Sequence, residues 1–158
     1  MKKTMYKPTK PTKSEDIKRF WHLVDLKDKI LGRIASNIAQ LLMGKSKPYF
    51  TRSLDVGDYV VVVNAKGVAV SGNKKLLKKY RRHSGFPGGF KEETLGELRS
   101  RKPERIIYHA VSGMLPQNKL RDRMLSRLFI FAGEEHPYKD KINPRFNRGQ
   151  KSKVKNTD

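Results

Sequence analysis

The chain has 158 residues, with 36 Lys and Arg against 15 Asp and Glu, a formal charge of +21 at pH 7 and no cysteine. Solubility alone asks for a net charge of about 2 to 8, so the excess implies a polyanionic partner, of which a phosphate backbone is the commonest. A disulfide framework, a thiolate metal site and a thiol nucleophile are excluded, and apolar runs such as Tyr59 to Val63 fall far short of the ~20 residues that cross a membrane.

The charge is not confined to the ends. Met1 to Arg19 and Lys139 to Asp158 each hold seven basic and two acidic residues, which leaves +11 between Phe20 and Tyr138. Residues 1–19, with Pro8 and Pro11, read as a basic arm, 20–138 as one α/β domain, and 139–158 as a basic tail. The start is basic but has no apolar stretch behind it, and Glu15 and Asp16 follow. Neither a secretory signal nor a transit peptide is expected, and the compartment read from this is the cytosol.

In chain order, Trp21 to Asp25 reads as a first strand. Leu31, Ile34, Ala35, Ile38 and Leu42 then recur at the helical period, and Gly44 supplies a stop. Asp58 to Asn64 holds a continuous β-branched run, the pattern of a strand buried on both faces of a parallel sheet. Val68 to Val70 is a shorter apolar piece ended by Ser71-Gly72. Next, Lys74, Lys75, Lys78, Lys79, Arg81 and Arg82 crowd around Tyr80 and His83, followed by the glycine-rich loop Ser84 to Phe90. Three helices are expected after it: Glu92 to Arg101, Pro103 to Met114 with Pro and Glu suiting its first turn, and Asn118 to Arg127. Leu128 to Phe131 reads as a last strand, closed by Gly133. Strands too apolar to face water alternate with helices, which favours a layered α/β domain.

Catalytic constellations do not emerge. His22, His83, His109 and His136 are 61, 26 and 27 residues apart, without metal-ligand spacing. Gly44-Lys45-Ser46 imitates the end of a phosphate-binding P-loop, but Ala39 stands where the first glycine belongs and the triplet closes a helix instead of opening one. The loop Gly85 to Gly89 does not fit a dinucleotide fingerprint either, because the chain has no Gly-x-Gly-x-x-Gly and no strand is expected to lead directly into the loop. It reads as a tight turn that lets backbone approach RNA. Cations suit phosphates, Arg also forks onto guanine edges, and Tyr80 or His83 offers a ring to an exposed base. Lys119, Arg121, Arg123 and Arg127 give a further helix one basic side.

Several blocks of residues resemble one family. They are Trp21-His-Leu-Val-Asp25 leading into Leu31-Gly-Arg-Ile-Ala35, and Val56-Gly-Asp-Tyr59 running through Asn64-Ala65 to Val70-Ser-Gly-Asn-Lys74. Further on come Tyr80-Arg-Arg-His-Ser-Gly85 with Gly88-Gly89, then Arg101-Lys-Pro-Glu-Arg105 through Ala110-Val-Ser-Gly-Met-Leu-Pro116, and Phe131-Ala-Gly-Glu-Glu-His-Pro137. Together they make the chain similar to the large-subunit ribosomal protein thirteen family across residues 20–138. After Pro116 the sequence departs from the family's Lys-Gly-Pro-Leu-Gly-Arg, reading Gln117-Asn118-Lys119-Leu120-Arg121-Asp122 instead.

The resemblance implies a three-layer α/β/α fold with a small, mostly parallel sheet and basic extended arms at both termini. It also implies a non-enzymatic, structural role on large-subunit ribosomal RNA early in assembly, in a bacterial-type ribosome in the cytoplasm. Expected partners are that RNA and neighbouring large-subunit proteins, with messenger RNA as a further ligand of the free protein. No cofactor, metal, membrane or homo-oligomer is expected. The residues expected to contact RNA are Arg33, Lys45, Lys47, Arg52, Lys74, Lys75, Lys79, Arg81, Arg82, His83, Arg101, Arg105, Arg121 and Arg123. Asp25, Asp58 and Asn64 are expected to be structural. The competing readings are a messenger-RNA-binding regulator and an enzyme acting on RNA or nucleotides through the glycine loop and His83.

Overall fold

A computed structural model describes residues 12–142, so expectations for residues 1–11 and 143–158 of the two arms lie outside it. In chain order the elements are β1 (Trp21–Asp25), α1 (Leu31–Met43), β2 (Tyr59–Val63), α2 (Lys74–Leu77), β3 (Lys79–His83), β4 (Phe90–Thr94), α3 (Leu95–Arg101), α4 (Pro103–Met114), α5 (Arg121–Leu125) and β5 (Leu128–Ile130). Short 3-10 turns occur at Ser14–Asp16, Ala65–Gly67 and Lys139–Lys141. Among the described residues no helix is long and apolar enough to cross a membrane.

The fold is α/β. Three parallel strands form a sheet in the order β1-β2-β5, with Trp21 opposite Tyr59 and Val60 opposite Leu128. The valine run is the central strand, and Val60, Val61, Val62 and Val63 are all buried. Successive side chains point to opposite faces of a strand, so Val60 and Val62 join Leu26, Ile38, Leu42, Ile106, Ile107 and Val111 in the main core, on the face covered by helices. Val61 and Val63 face the other way, toward Trp21, Phe129, Phe131, Tyr138 and Ile142. This second layer is built from aromatic rings and the turn Lys139–Lys141. Trp21 stacks on Tyr59 at 4.4 Å between ring centroids and on Tyr138 at 5.1 Å, and the Lys141 ammonium lies 5.2 Å from the Trp21 ring centroid.

Helix α1 buries Leu31, Ala35, Ile38 and Leu42 of the expected stripe together with Ala39, while Ile34 is half-buried. Gly44 ends it in the left-handed conformation, φ 76°, donating its amide to Gln40 and Leu41 carbonyls. A Cβ at Gly44 would meet the Val56 carbonyl oxygen at 2.7 Å, so the stop also lets the returning chain pack closely. Val68 to Val70 adds only one parallel bridge, between Ala69 and Ile30, beside the sheet.

Three expectations are corrected. The helix expected from Glu92 begins at Leu95, because Glu92 to Thr94 belongs to β4. Thr94 is its cap: its hydroxyl accepts from the Glu97 amide at 3.3 Å and the Glu97 carboxylate accepts from the Thr94 amide at 2.8 Å. The helix expected over Asn118 to Arg127 is only Arg121–Leu125. Asn118 Oδ1 accepts from the amide of Leu120 at 3.1 Å, which makes a turn and delays the helix. The glycine loop does have a strand leading directly into it. Lys79–His83 pairs antiparallel with Phe90–Thr94, and Gly85 (φ 89°) and Gly88 (φ 70°) carry the chain round the tip.

Candidate nucleic-acid interface

The residues expected at an RNA interface divide into those the protein has already engaged and those it leaves open. Lys47 belongs wholly to the first group and corrects the expectation made for it. Only 9% of its surface is exposed. Its ammonium donates to the Lys18 and Val56 carbonyls, both at 2.7 Å, and to the Asp58 carboxylate, so all three protons are used inside the protein. Asp58 in turn accepts from the Phe20 amide at 2.9 Å and lies 3.0 Å from His22 Nε2. Burial alone would raise the Asp58 pKa. Hydrogen bonds from His22, Lys47 and the Phe20 amide, with the nearby Lys47 charge, outweigh it and hold the carboxyl below its ordinary value. Asp58 is structural, as expected, and so are Asp25 and Asn64. Asn64 donates to Asp25 Oδ1 at 2.8 Å beside the Lys27 amide at 3.0 Å.

Arg127 is also internal. It forks onto the Asp55 carboxylate with little exposure on either side, so the helix before it is less basic than its sequence implies. Gly57 makes room for this, since a Cβ there would meet the Leu42 carbonyl oxygen at 1.7 Å and the Arg127 guanidinium at 2.9 Å.

The hairpin β3–β4 sorts its cations by face. Residues opposite each other across an antiparallel pair share a face. On one face Lys79 and Arg81 both pair with Glu92, at 2.6 and 2.8 Å, in an exposed cluster. The Lys79 hydrogen bond first, then the Arg81 one, lowers the Glu92 pKa. On the other face Tyr80 lies opposite Glu93 and Arg82 lies opposite Lys91. Glu93 is taken by Arg101 of α3, at 2.6 Å. This face and α4 enclose a cleft of about 410 Å³ whose wall includes Tyr80, Arg82, Lys91, Arg105, Tyr108 and His109. His83 sits at the hairpin's end, its Nδ1 accepting from the Gly85 amide at 2.9 Å.

The remaining cations occupy separate hollows. Arg33 and Lys74 border a groove of about 540 Å³ between α1, α2 and the end of α4, and Lys75 is exposed on α2 beside it. Lys45 and Arg52 border one of about 250 Å³ with Pro116 and Asn118. Arg123 is exposed near Arg19 on the wall of a third, of about 680 Å³. Arg121 is half-buried and donates to the Ser112 hydroxyl, bracing α5 against α4. Among the described residues no three His, Asp or Glu come together as a metal site.

A family model described as Ribosomal protein L13 matches residues 19–137. The chain belongs to the ribosomal protein L13 family. It is 53% identical over 130 residues to the large ribosomal subunit protein uL13 of Dehalococcoides mccartyi, a span covering 82% of this chain and 91% of that protein. The protein of the same name from Nostoc sp. is 54% identical over 124 residues, covering 78% and 82%. That from Geobacter sulfurreducens is 52% identical over 132 residues, covering 84% and 92%. The L13 match takes in the hairpin, the cleft and α4 entire.

Sequence reasoning misses Lys91, Tyr108 and His109. Lys91 is hidden because its segment reads as the approach to a helix. The signal that finds it is a five-residue run on each side of a Gly-Phe-Pro-Gly-Gly turn, the layout of a hairpin. Once β4 pairs with β3, Lys91 is carried directly opposite Arg82.

Proposed function

We propose that this member of the L13 family is a structural constituent of the large ribosomal subunit that binds ribosomal RNA and supports early assembly, without catalysing a reaction. The observation that carries the reading is the separation of its open cations into several hollows, each bordered by different cations. A single substrate pocket would gather them; a protein that clamps several RNA segments together spreads them. Contacts then fall to Arg33, Lys45, Arg52, Lys74, Lys75, Arg82, Arg105 and Arg123. Lys79, Arg81 and Arg101 contribute as far as RNA phosphates displace Glu92 and Glu93. His83 and Arg121 hold their segments in place, and Lys47 leaves the set. On this reading the protein works in the cytoplasm, as part of the ribosome, with RNA and neighbouring ribosomal proteins as its partners.

The test is sedimentation of a cell lysate before and after a high-salt wash. Co-migration with the large subunit that survives the wash is expected. Release by the wash, or protein mainly in free fractions carrying messenger RNA, would replace this reading with that of a peripheral factor or regulator.

A further inference from the structure

The cleft between the β3–β4 hairpin and α4 combines two features. The first is a set of cations without counter-charge. Arg82 and Lys91 face each other directly across the two strands, an arrangement that costs stability because like charges meet at close range. Arg105 of α4 borders the same cleft. No carboxylate pairs with any of the three among the described residues, and the one acid on this wall, Glu93, is bound by Arg101. The second is an aromatic wall. Tyr80 packs against His109 with centroids 5.5 Å apart, and Tyr108 meets His109 edge-on at 6.2 Å. Because Tyr108 is also 42% exposed, it can offer a ring to a ligand.

Size narrows the ligand further. Ligand pockets run from about 300 to 1,000 Å³, and this one, at about 410 Å³, has room for one nucleotide. A phosphate answers the cations, and every base has a face that stacks on an aromatic ring. A carboxylate-bearing peptide would answer the cations but leave the ring face without a matching surface.

We infer that this cleft is a nucleotide-binding site, in which Arg82, Lys91 and Arg105 hold a phosphate and Tyr108, backed by His109 and Tyr80, stacks on an unpaired base. The inference deepens the proposed RNA-binding role and rests on it. The nucleotide is either a residue turned out of a bound RNA chain or a free mononucleotide, and the chemistry of the site is the same for both.

The full chain is titrated with a 12-nucleotide oligoadenylate strand, with a paired RNA duplex of the same length, and with an oligoglutamate of matching charge. Wild type, Tyr108→Ala, Tyr108→Phe and the double variant Arg82→Gln/Lys91→Gln are compared. Tyr108→Ala should weaken the single strand about tenfold, Tyr108→Phe should restore it, and neither should change duplex binding. The double variant should lower the salt slope for the strand by about 0.7 for each phosphate that is no longer neutralised. Circular dichroism of each variant separates these effects from misfolding. Strand binding that ignores Tyr108 overturns the inference while duplex binding leaves general RNA recognition intact. Oligoglutamate binding as tightly as the strand would likewise overturn it, since the cleft would then hold any anion. If neither RNA binds wild type, the broader reading fails as well. Competition with adenosine monophosphate tells the two sources apart. Displacement of the strand assigns the site to free nucleotides, and its absence assigns the site to an unpaired residue of an RNA chain.

Discussion

At Lys47 the protein supplies every acceptor that a buried ammonium can use; at Arg82 and Lys91 it sets two cations against each other and supplies none. Lys47 gives up its hydration to two carbonyls and the Asp58 carboxylate, and a charge buried that way is tolerable only because the compensation is complete. The pair on the hairpin keeps its charges at the surface, where repulsion is weak, and leaves their compensation to something outside the chain. A high net charge is therefore not one property of this molecule. Part of it is internal wiring that fixes where the segment at Lys18 joins the core, and part of it has no counter-charge among the described residues.

The largest effect that separates the two regions is the loss of Asp58. Asp58→Ala leaves the Lys47 ammonium buried without its counter-charge and removes an acceptor that the Phe20 amide and His22 use, which should cost about 3–5 kcal/mol in urea unfolding. Removing Lys47 as well should add little, because the pair acts as one unit. A loss below about 1 kcal/mol would mean that Lys47 swings out to water and is an open cation after all. The same carboxyl gives the pH dependence. Its folded pKa lies below the ordinary 3.8. Its contribution is therefore fully present above that value and disappears as pH falls through the lower folded one. Wild-type stability should drop with acid in that window, and Asp58→Asn should show a shallower drop.

Arg127→Lys comes next. The fork onto Asp55 becomes a single ammonium contact, and one strand-side anchor of β5 is weakened, at a cost of roughly 1–3 kcal/mol. Urea unfolding measures it, and an unchanged midpoint would move Arg127 into the exposed group. RNA affinity at matched stability should not change, in contrast to substitutions in the hairpin cleft.

What can be read from the sequence follows the same division. The stripe Leu31 to Leu42 and Pro103 to Met114 are legible because each must bury one face, which imprints a period, and the valine run is legible because both its faces are buried and it is apolar throughout. The hairpin is not, since it buries only parts of Tyr80, Glu93 and Thr94 and the rest of its strands is exposed. A ribbon with two wet faces has no alternation to detect. Lys47 is equally hidden. Two residues from Lys45 in the same basic loop, it differs only in what the fold brings to it, namely Asp58, eleven residues further on. Charge counts point toward a polyanion partner; they cannot tell a saturated lysine from an open one.

The smallest predicted effect is opposite in sign to the first. Arg82→Gln removes one of two like charges standing directly opposite each other, so the free protein should become more stable by about 0.2–1 kcal/mol at low ionic strength. The gain should vanish near 1 M salt, where charges are screened over about 3 Å. Urea unfolding at the two salt concentrations measures it, and single-strand RNA binding in parallel should show the cost of the same substitution. A variant that folds better and binds worse is what distinguishes an open cation from a wired one. If Arg82→Gln instead destabilised the protein at both salt concentrations, Arg82 would have an internal partner of the kind that Lys47 has. The hairpin would then be built around that contact, with no anion needed to relieve it.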